Sequence, residues 1–180
     1  MSIPDIRIET ERLILRPPVA ADFDAYAQNM ADIEASRFIG GQQSRELAWR
    51  GFLSLAGAWS IQGFAMFSVI EKQSGHWIGR LGPWYPEGWP GTEVGWGLAR
   101  EAWGKGYAYE GSVAAIDWAF EHLGWRDIIH SIHSDNLASI ALAKRLGSQL
   151  RRTMKMPPPY QDSIAEIWGQ TREQWHARSR

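Results

Sequence analysis

The 180-residue chain has no cysteine, no long apolar run and no excess of charge of either sign. Without cysteine it can form no disulfide and can use no thiol in catalysis, and this composition is typical of a reducing compartment. No segment approaches the ~18 apolar residues of a membrane span, and the first residues lack the apolar core of a signal peptide. We therefore expect a cytoplasmic protein with no membrane partner.

The charge balance argues against nucleic acid as a partner. The chain has 19 Lys and Arg residues against 20 Asp and Glu residues, which gives a formal net charge of −1. Such a chain has no overall positive field that could hold a polyanion. We expect a small or neutral partner and no nucleic acid.

The order of strand-like and helix-like segments predicts one α/β domain over residues 1–180. The length is that of a single domain with a sizeable core. Strands with interspersed helices predict a mixed sheet with helices on both faces. Strands are predicted around 6–8, 13–15, 64–71, 76–81, 93–98, 127–133, 150–156 and 164–168, helices over 20–32, 44–63, 107–124 and 136–147, and a short helix or tail over 171–180.

Apolar spacing predicts the buried sides of two helices. In the helix after residue 44, the apolar side is marked by Leu47, Phe52, Leu55 and Trp59. In the helix after residue 106, one buried stripe is predicted from Tyr109, Val113, Ile116, Phe120 and Leu123. The loop 83–91 is dense in Pro, Gly and aromatic residues. It is either a wall of a substrate cleft or a hydrophobic plug over the sheet edge.

A strand, a glycine turn and a helix follow one another in 93–111, EVGWGLAREAWGKGYAYEG. Val94, Trp96 and Leu98 alternate with other residues as in a strand, and a helix begins after the turn at 104–106. Such a turn leaves unpaired N–H groups at the positive end of a helix, where a phosphate can bind. Glycines that only turn the chain are the alternative.

This turn fits neither of two common nucleotide-binding patterns. Ala99 stands where a P-loop has its first glycine, and Gly106 replaces the hydroxyl residue that binds magnesium. The third glycine of a dinucleotide fingerprint would fall at Arg100 or Tyr109. A phosphate-binding turn of another family is needed.

Neither a metal site nor a serine hydrolase is predicted. His130 and His133 point to opposite faces of a strand, and the other three histidines are scattered along the chain. The chain contains no G-x-S-x-G elbow.

The segment 93–111 resembles motif A of the GCN5-related N-acetyltransferases, the GNAT family. It is most similar to the ribosomal-protein N-terminal acetyltransferase branch, which has a similar strand and a W-G-K/Q-G-Y-A turn. Residues 136–139, NLAS, and 144–147, KRLG, resemble the second signature of the family, and 9–16, ETERLILR, matches its opening strand. The resemblance spans most of the chain and implies the GNAT fold, a mostly antiparallel central sheet between helices.

Two positions depart from the family pattern. Trp103 opens the turn where Arg or Gln is common, although Trp is frequent in this branch. Ser148 follows Gly147 in place of the usual aromatic residue. Neither position touches the proposed amide donors of the turn.

The resemblance implies transfer of an acetyl group from acetyl-CoA to an amine, carried by a small molecule or a protein N-terminus. The N–H groups of 104–109 would bind the pyrophosphate. The strand at 96–100 would pair with the pantetheine amides, a close approach that Gly95 and Gly97 would allow. Asn136 would bond the pantetheine arm, or cap a helix, or both. The cofactor-binding residues implied are Trp96, Leu98, Arg100, Gly104, Lys105, Gly106, Tyr107, Ala108, Tyr109 and Asn136.

Acetyl transfer to an amine needs a proton acceptor and a proton donor. By resemblance, Glu93 is the candidate base, with a water chain or a purely structural carboxylate as alternatives. Ser139 is the candidate donor to the leaving thiolate, and Tyr160 is another. A module that binds an acyl-CoA without chemistry is the alternative function, and a homodimer is an open alternative for the assembly.

Overall fold

The computed structural model describes residues 4–178, which form an eight-stranded sheet flanked by helices. The strands are β1 (Ile8–Glu9), β2 (Leu13–Arg16), β3 (Phe67–Glu71), β4 (Trp77–Trp84), β5 (Glu93–Leu98), β6 (Asp127–His133), β7 (Gln149–Lys155) and β8 (Ile164–Thr171). Their order in the sheet is β1-β2-β3-β4-β5-β6-β8-β7. All neighbours are antiparallel except β5 and β6, which are parallel. The predicted mixed, mostly antiparallel sheet is confirmed.

The helices begin and end near the predicted residues. They are α1 (Phe23–Ala31), α2 (Ile33–Ser36), α3 (Arg45–Gln62), α4 (Tyr107–His122), α5 (Leu137–Arg145) and α6 (Arg172–Ala177). The Ser44 hydroxyl caps α3 by accepting the Leu47 N–H, and Gly63 ends it with a φ of 81°. None of the described helices is long and apolar enough to cross a membrane. The last two residues of the predicted 171–180 segment lie outside the described residues.

The predicted helix over 20–32 consists of two pieces, and a short helix that was not predicted follows it. A 3₁₀ turn over Ala20–Asp22 precedes α1, and α2 starts separately after Asp32. The backbone of Asp32 is extended, and its carboxylate accepts the N–H groups of Glu34 and Ala35. Asp32 therefore ends α1, where the predicted helix ends, and caps the start of α2.

Helices cover both faces of the sheet, as predicted. On one face α4 packs on β2, β4 and β5, and the core there includes Leu81, Val94, Leu98, Ile116 and Phe120. On the other face α1 and the first half of α3 pack on β3 and β4, with Tyr26, Phe52, Met66 and Trp77 in the core.

The predicted buried sides of α3 and α4 were partly wrong. Ile116 and Phe120 are fully buried, but Tyr109, Val113 and Leu123 are only partly buried. Beside Ile116 and Phe120, several buried residues of α4 are small, because Leu81 projects toward the helix: a Cβ at Gly111 would lie 2.6 Å from Leu81 Cδ2. Small side chains therefore take the central stripe. The residues that do so are Gly111, Ala115 and Ala119.

In α3 the core-facing stripe starts one residue later than predicted. Leu47 is 51% exposed, whereas Ala48 is fully buried. The buried spacing is 48, 52, 55 and 59, which keeps to one side of a helix, and residue 47 lies off that side.

A buried carboxylate joins the first helical turn to the sheet. Asp22 is 4% exposed and forms a two-bond ion pair with Arg16, each bond 2.7 Å long. It also accepts the Ser68 hydroxyl at 2.7 Å and the Val19 N–H at 3.0 Å. Burial raises the pKa of Asp22, but these donors outweigh burial and hold the pKa below its usual value.

We expect Asp22→Ala to destabilise the fold by about 3 kcal/mol, because it leaves Arg16 and Ser68 without their acceptor. Asp24→Ala is the matched control, since Asp24 is 78% exposed in its ion pair with Arg45. That change should cost less than about 0.5 kcal/mol. Urea unfolding of the two variants measures both values. Equal stabilities would contradict the anchoring role of Asp22.

Candidate active site between β5 and β6

The two parallel strands separate after one residue pair. Glu93 and Ile129 form the bridge between β5 and β6, and the Ile129 N–H donates to the Thr92 carbonyl at 2.9 Å. Within residues 4–178 no further β5–β6 pair follows, whereas β5 stays paired with β4 from Glu93 to Leu98. A gap therefore opens between β5 and β6.

The backbone of Trp96 faces this gap. Alternate residues of a strand bond to the same neighbouring strand, so Val94, Trp96 and Leu98 are the residues of β5 that face β6. The Leu98 carbonyl accepts the Trp103 indole N–H at 2.9 Å. The N–H and C=O of Trp96 have no partner in β6 among the described residues. They present an unpaired strand edge to a ligand in the gap.

From β5 the chain runs into the N-terminus of α4 through a glycine turn. Gly104 and Gly106 have φ angles of 73° and 81°, which glycine adopts without steric cost. No heavy atom lies within 4 Å of the position that a Cβ would take at Gly104, so the turn is open there. The helix ladder starts with Glu110 N–H donating to the Gly106 carbonyl at 3.1 Å. The N–H groups of the first turn are left at the positive helix end.

Two residues from the start of the chain hold this turn in place. Arg12 Nη1 donates to the Lys105 carbonyl at 2.9 Å, and Arg12 Nε donates to Glu110 Oε2 at 2.7 Å. The Thr10 hydroxyl donates to Glu110 Oε1 at 2.6 Å. Burial raises the pKa of Glu110, but the bonds from Thr10 and Arg12 hold it below its usual value. The ionised Glu110 is therefore a structural group behind the turn.

Glu93 is a buried carboxylate at the head of β5, 6% exposed. Its Oε2 accepts the Trp89 indole N–H at 2.5 Å and the Ser131 hydroxyl at 2.8 Å, and its Oε1 accepts the Ser131 N–H at 3.3 Å. Burial raises the pKa of Glu93 to about 6, against the hydrogen bonds from Trp89 and Ser131, which lower it. A carboxylate with a pKa near neutral pH is suited to accept a proton.

The two glycines of β5 are close to protein groups. A Cβ at Gly95 would lie 2.6 Å from Met66 Cε and 3.3 Å from Glu93 Oε1, and one at Gly97 would lie 3.4 Å from Ile39 Cδ1. The Glu93 side chain thus lies along the strand above Gly95. The close approach at Gly95 is made by Glu93 and Met66 of this chain.

Ser139 lies in the first turn of α5, against Trp96. The Trp96 indole N–H donates to Ser139 Oγ at 3.0 Å, which leaves the hydroxyl hydrogen available to another acceptor. The Asn136 side chain accepts the Ser139 N–H at 3.2 Å and so caps α5. The capping alternative for Asn136 is therefore present in the structure.

Besides Trp96 and Asn136, three of the implied cofactor residues have side chains that interact with protein groups. Arg100 forms an ion pair with Asp32 at 2.9 Å, and the Tyr107 hydroxyl donates to Glu71. The Arg145 guanidinium lies over the Tyr109 ring, with Cζ 3.9 Å from the ring centroid. The predicted strand at 96–100 was two residues too long: β5 ends at Leu98, and Arg100 starts a 3₁₀ turn over Arg100–Ala102, while Tyr107 and Tyr109 lie in the first turn of α4. Leu98 is buried, and Lys105 and Ala108 lie in the turn and the first turn of α4.

Two aromatic side chains lie next to Glu93. Trp89, which bonds to Glu93, packs edge-on against Tyr160 with ring centroids 6.0 Å apart. The Tyr160 ring lies 3.5 Å from the position that a Cβ would take at Gly40. Tyr160 therefore belongs to the wall around Glu93.

Ser131 and Arg12 were not predicted as site residues. Ser131 reaches Glu93 because of the register between two strands that are far apart in the sequence, and no local pattern signals that register. Arg12 was part of the opening ETERLILR match, which gives no indication of its contact with Lys105. The only signal for Trp89 was its place in the aromatic loop 83–91.

Comparisons with known proteins agree with this architecture. The family model described as an acetyltransferase (GNAT) domain matches residues 12–149. The uncharacterised N-acetyltransferase p20 of Bacillus licheniformis is 31% identical over 143 residues, which is 78% of this chain and 80% of that protein.

Solved structures extend the likeness to nearly the whole chain. An acetyltransferase from Agrobacterium tumefaciens has a TM-score of 0.82 and 31% identity, over 96% of both chains. The ribosomal-protein-S5-alanine acetyltransferase from Vibrio fischeri has a TM-score of 0.71 over 95% of this chain and 99% of that one; at 18% identity it shows the shared fold. The chain therefore belongs to the GNAT family of acetyltransferases and is an acyltransferase.

Proposed function

We propose that this chain, as a single domain, transfers an acetyl group from acetyl-CoA to a primary amine of a small molecule or a protein N-terminus. One observation carries the proposal. The gap between β5 and β6 presents the backbone of Trp96, which has no partner in β6, and β5 leads through a 3₁₀ turn over Arg100–Ala102 into the open glycine turn at the positive end of α4. An elongated ligand with amides and a pyrophosphate matches both features.

Acetyl-CoA supplies the acetyl thioester, and the residues of the gap and the turn fit its parts. The Trp96 backbone would pair with the pantetheine amides, and the N–H groups of 104–109 would bind the pyrophosphate. Asn136 caps α5 through its side-chain oxygen, so the cap does not use its NH₂ group, which would bond the pantetheine arm. The residues assigned to binding are Trp96, Leu98, Arg100, Gly104, Lys105, Gly106, Tyr107, Ala108, Tyr109 and Asn136.

Glu93 is assigned the role of base. An amine is protonated near neutral pH and must lose a proton before or during attack. The raised pKa of Glu93, about 6, leaves the carboxylate ionised at neutral pH yet able to accept that proton. Because Glu93 is buried behind Trp89 and Ser131, we assign the transfer to a water between the amine and the carboxylate.

Ser139 is assigned the role of proton donor to the departing sulfur. Its oxygen is oriented by the Trp96 indole, so its own hydrogen is available. Tyr160 is the alternative donor, and it packs against Trp89, which donates to Glu93. The aromatic wall of Trp89 and Tyr160 suits an amine next to an apolar group.

Calorimetry with acetyl-CoA, followed by a thiol-release assay over a panel of amines, tests the function. We expect binding, and release of CoA with at least one amine in the panel. Binding without release on any amine would favour the non-catalytic acyl-CoA-binding module. A lack of binding would overturn both functions.

We expect Glu93→Gln to lower kcat/KM at neutral pH by on the order of 10²-fold with little change in acetyl-CoA affinity, because it removes the base. The wild-type kcat/KM should fall below a pH of about 6, where Glu93 becomes protonated. The variant should lack that acidic limb. An unchanged pH profile would remove Glu93 from the base role.

The same variant has an expected effect on stability that does not depend on activity. The folded-state pKa of Glu93, about 6, lies above its usual value of 4.5. The stability that Glu93 contributes is therefore complete below pH 4.5 and is lost as the pH rises through about 6. Relative to Glu93→Gln, the wild type should lose about 2 kcal/mol across this range. Urea unfolding of both proteins at several pH values measures the difference.

We expect Gly106→Val to lower acetyl-CoA affinity at least ~100-fold, because a branched side chain disfavours the left-handed backbone that forms the turn. Gly124→Val is the matched control: Gly124 has a φ of 65° at the other end of α4, with no heavy atom within 4 Å of a Cβ there. Calorimetry on the two folded variants should show a loss of affinity for the first only. Full affinity in Gly106→Val would place the phosphate site elsewhere.

A further inference from the structure

After the Glu93–Ile129 bridge, side chains take the place of the next backbone hydrogen bond between β5 and β6. A regular parallel ladder would join the Ser131 N–H to the Val94 carbonyl at that point. The Val94 carbonyl instead accepts from His130 Nδ1 at 2.6 Å, and the Ser131 N–H donates to Glu93 Oε1 at 3.3 Å. Both backbone groups are satisfied although the two strands do not pair.

The tautomer of His130 follows from its partners. A carbonyl can only accept, so Nδ1 carries the hydrogen and Nε2 of the neutral ring is an acceptor. Ser148 Oγ lies 3.0 Å from Nε2 and accepts from Gln170 Nε2 at 3.0 Å, so the Ser148 hydroxyl donates to the ring. The donors run in one direction, from Gln170 through Ser148 and His130 to Val94.

This array lies inside the protein, beside the gap. His130 and Gln170 are 1% exposed, and Ser148 is 4% exposed. Burial lowers the pKa of His130 to about 4, which agrees with a neutral ring. The imidazole lies against the Trp96 indole with ring centroids 4.8 Å apart. It therefore occupies the space between the strands next to the residue whose backbone faces the gap.

We propose that His130 is a positioning residue that keeps β5 and β6 apart by bonding the Val94 carbonyl with an imidazole N–H that Ser148 and Gln170 hold in one tautomer. The inference rests on the proposed function in one respect, namely that acetyl-CoA binds in the gap. It also gives a role to Ser148, where the family usually has an aromatic residue: the hydroxyl is the donor that fixes the ring.

The tautomer can be measured without a ligand. In the wild type with ¹⁵N-labelled histidine, NMR should show His130 with hydrogen on Nδ1 and none on Nε2, with no titration near neutral pH. Ser148→Ala removes the donor to Nε2 and should let the other tautomer appear. A wild-type ring with hydrogen on Nε2, or a charged ring, would overturn the proposal.

Two substitutions at residue 130 separate the Val94 bond from simple packing. Asn places its NH₂ group near the position of Nδ1 and can still donate to Val94, whereas Gln places its amide near Nε2, toward Ser148. We expect His130→Gln to lower acetyl-CoA affinity about tenfold, the ratio that corresponds to one hydrogen bond. His130→Asn should retain affinity within about twofold.

Both variants should lose stability, so thermal unfolding is measured beside affinity. Ile128→Val is the stability control, because it removes one methyl group from a fully buried residue of the same strand. It should lower Tm with no loss of acetyl-CoA affinity. If His130 acted through packing alone, His130→Asn and His130→Gln would bind acetyl-CoA equally well whenever their stabilities are equal. That result would contradict the proposal. If the Gln variant does not fold, Ser148→Ala takes its place in the test. The His130 tautomer and the acetyl-CoA affinity of Ser148→Ala are then compared with those of the wild type. No change in either one would count against the proposal.

The two levels of inference fail in different ways. If the wild type does not bind acetyl-CoA, the proposed function is wrong, while the tautomer measurement still decides whether the array exists. If the wild type binds and the tautomer is as described, but His130→Gln binds equally well, only the positioning role is wrong.

Discussion

The structure depends on the point where two parallel strands stop pairing. β5 is bonded to β4 along its whole length, so it cannot shift to fill the space that β6 leaves. The sheet is therefore continuous at residue 93 and open beyond it, and each buried backbone group at the opening needs another partner. Glu93 and His130 provide those partners. The buried Glu93 carboxylate and the His130 imidazole thus both bond to backbone groups where the ladder ends.

Burial affects these two side chains in opposite ways. Glu93 has a raised pKa and His130 a lowered one, both because a charge is unfavourable away from water. The hydrogen bonds of Glu93 come from Trp89 and Ser131, groups that favour the ionised form, so its pKa does not rise further. The site therefore keeps one group able to change charge near neutral pH and one group that stays neutral there.

Much of the fold could be predicted from local sequence patterns. The boundaries of β6 and the ends of α3 followed from alternation, the Ser44 cap and Gly63. The buried side of α4 was predicted only in part, through Ile116 and Phe120, because the small residues in its centre depend on Leu81 projecting from another strand. The turn at 104–106 was visible in the sequence, but its support by Arg12 was not. Contacts set by tertiary packing or strand register have no local signal.

The array behind the gap also constrains how the sequence can change over evolutionary time. An aromatic side chain at 148 would remove the hydroxyl that donates to His130, leaving Nε2 buried without its donor and the Gln170 amide with only its bond to the Leu146 carbonyl. Replacing His130 alone would leave the Ser148 hydroxyl without an acceptor for its hydrogen and the Val94 carbonyl without its donor. Each single step passes through a less stable protein, so positions 130 and 148 should change together in lineages that keep this fold.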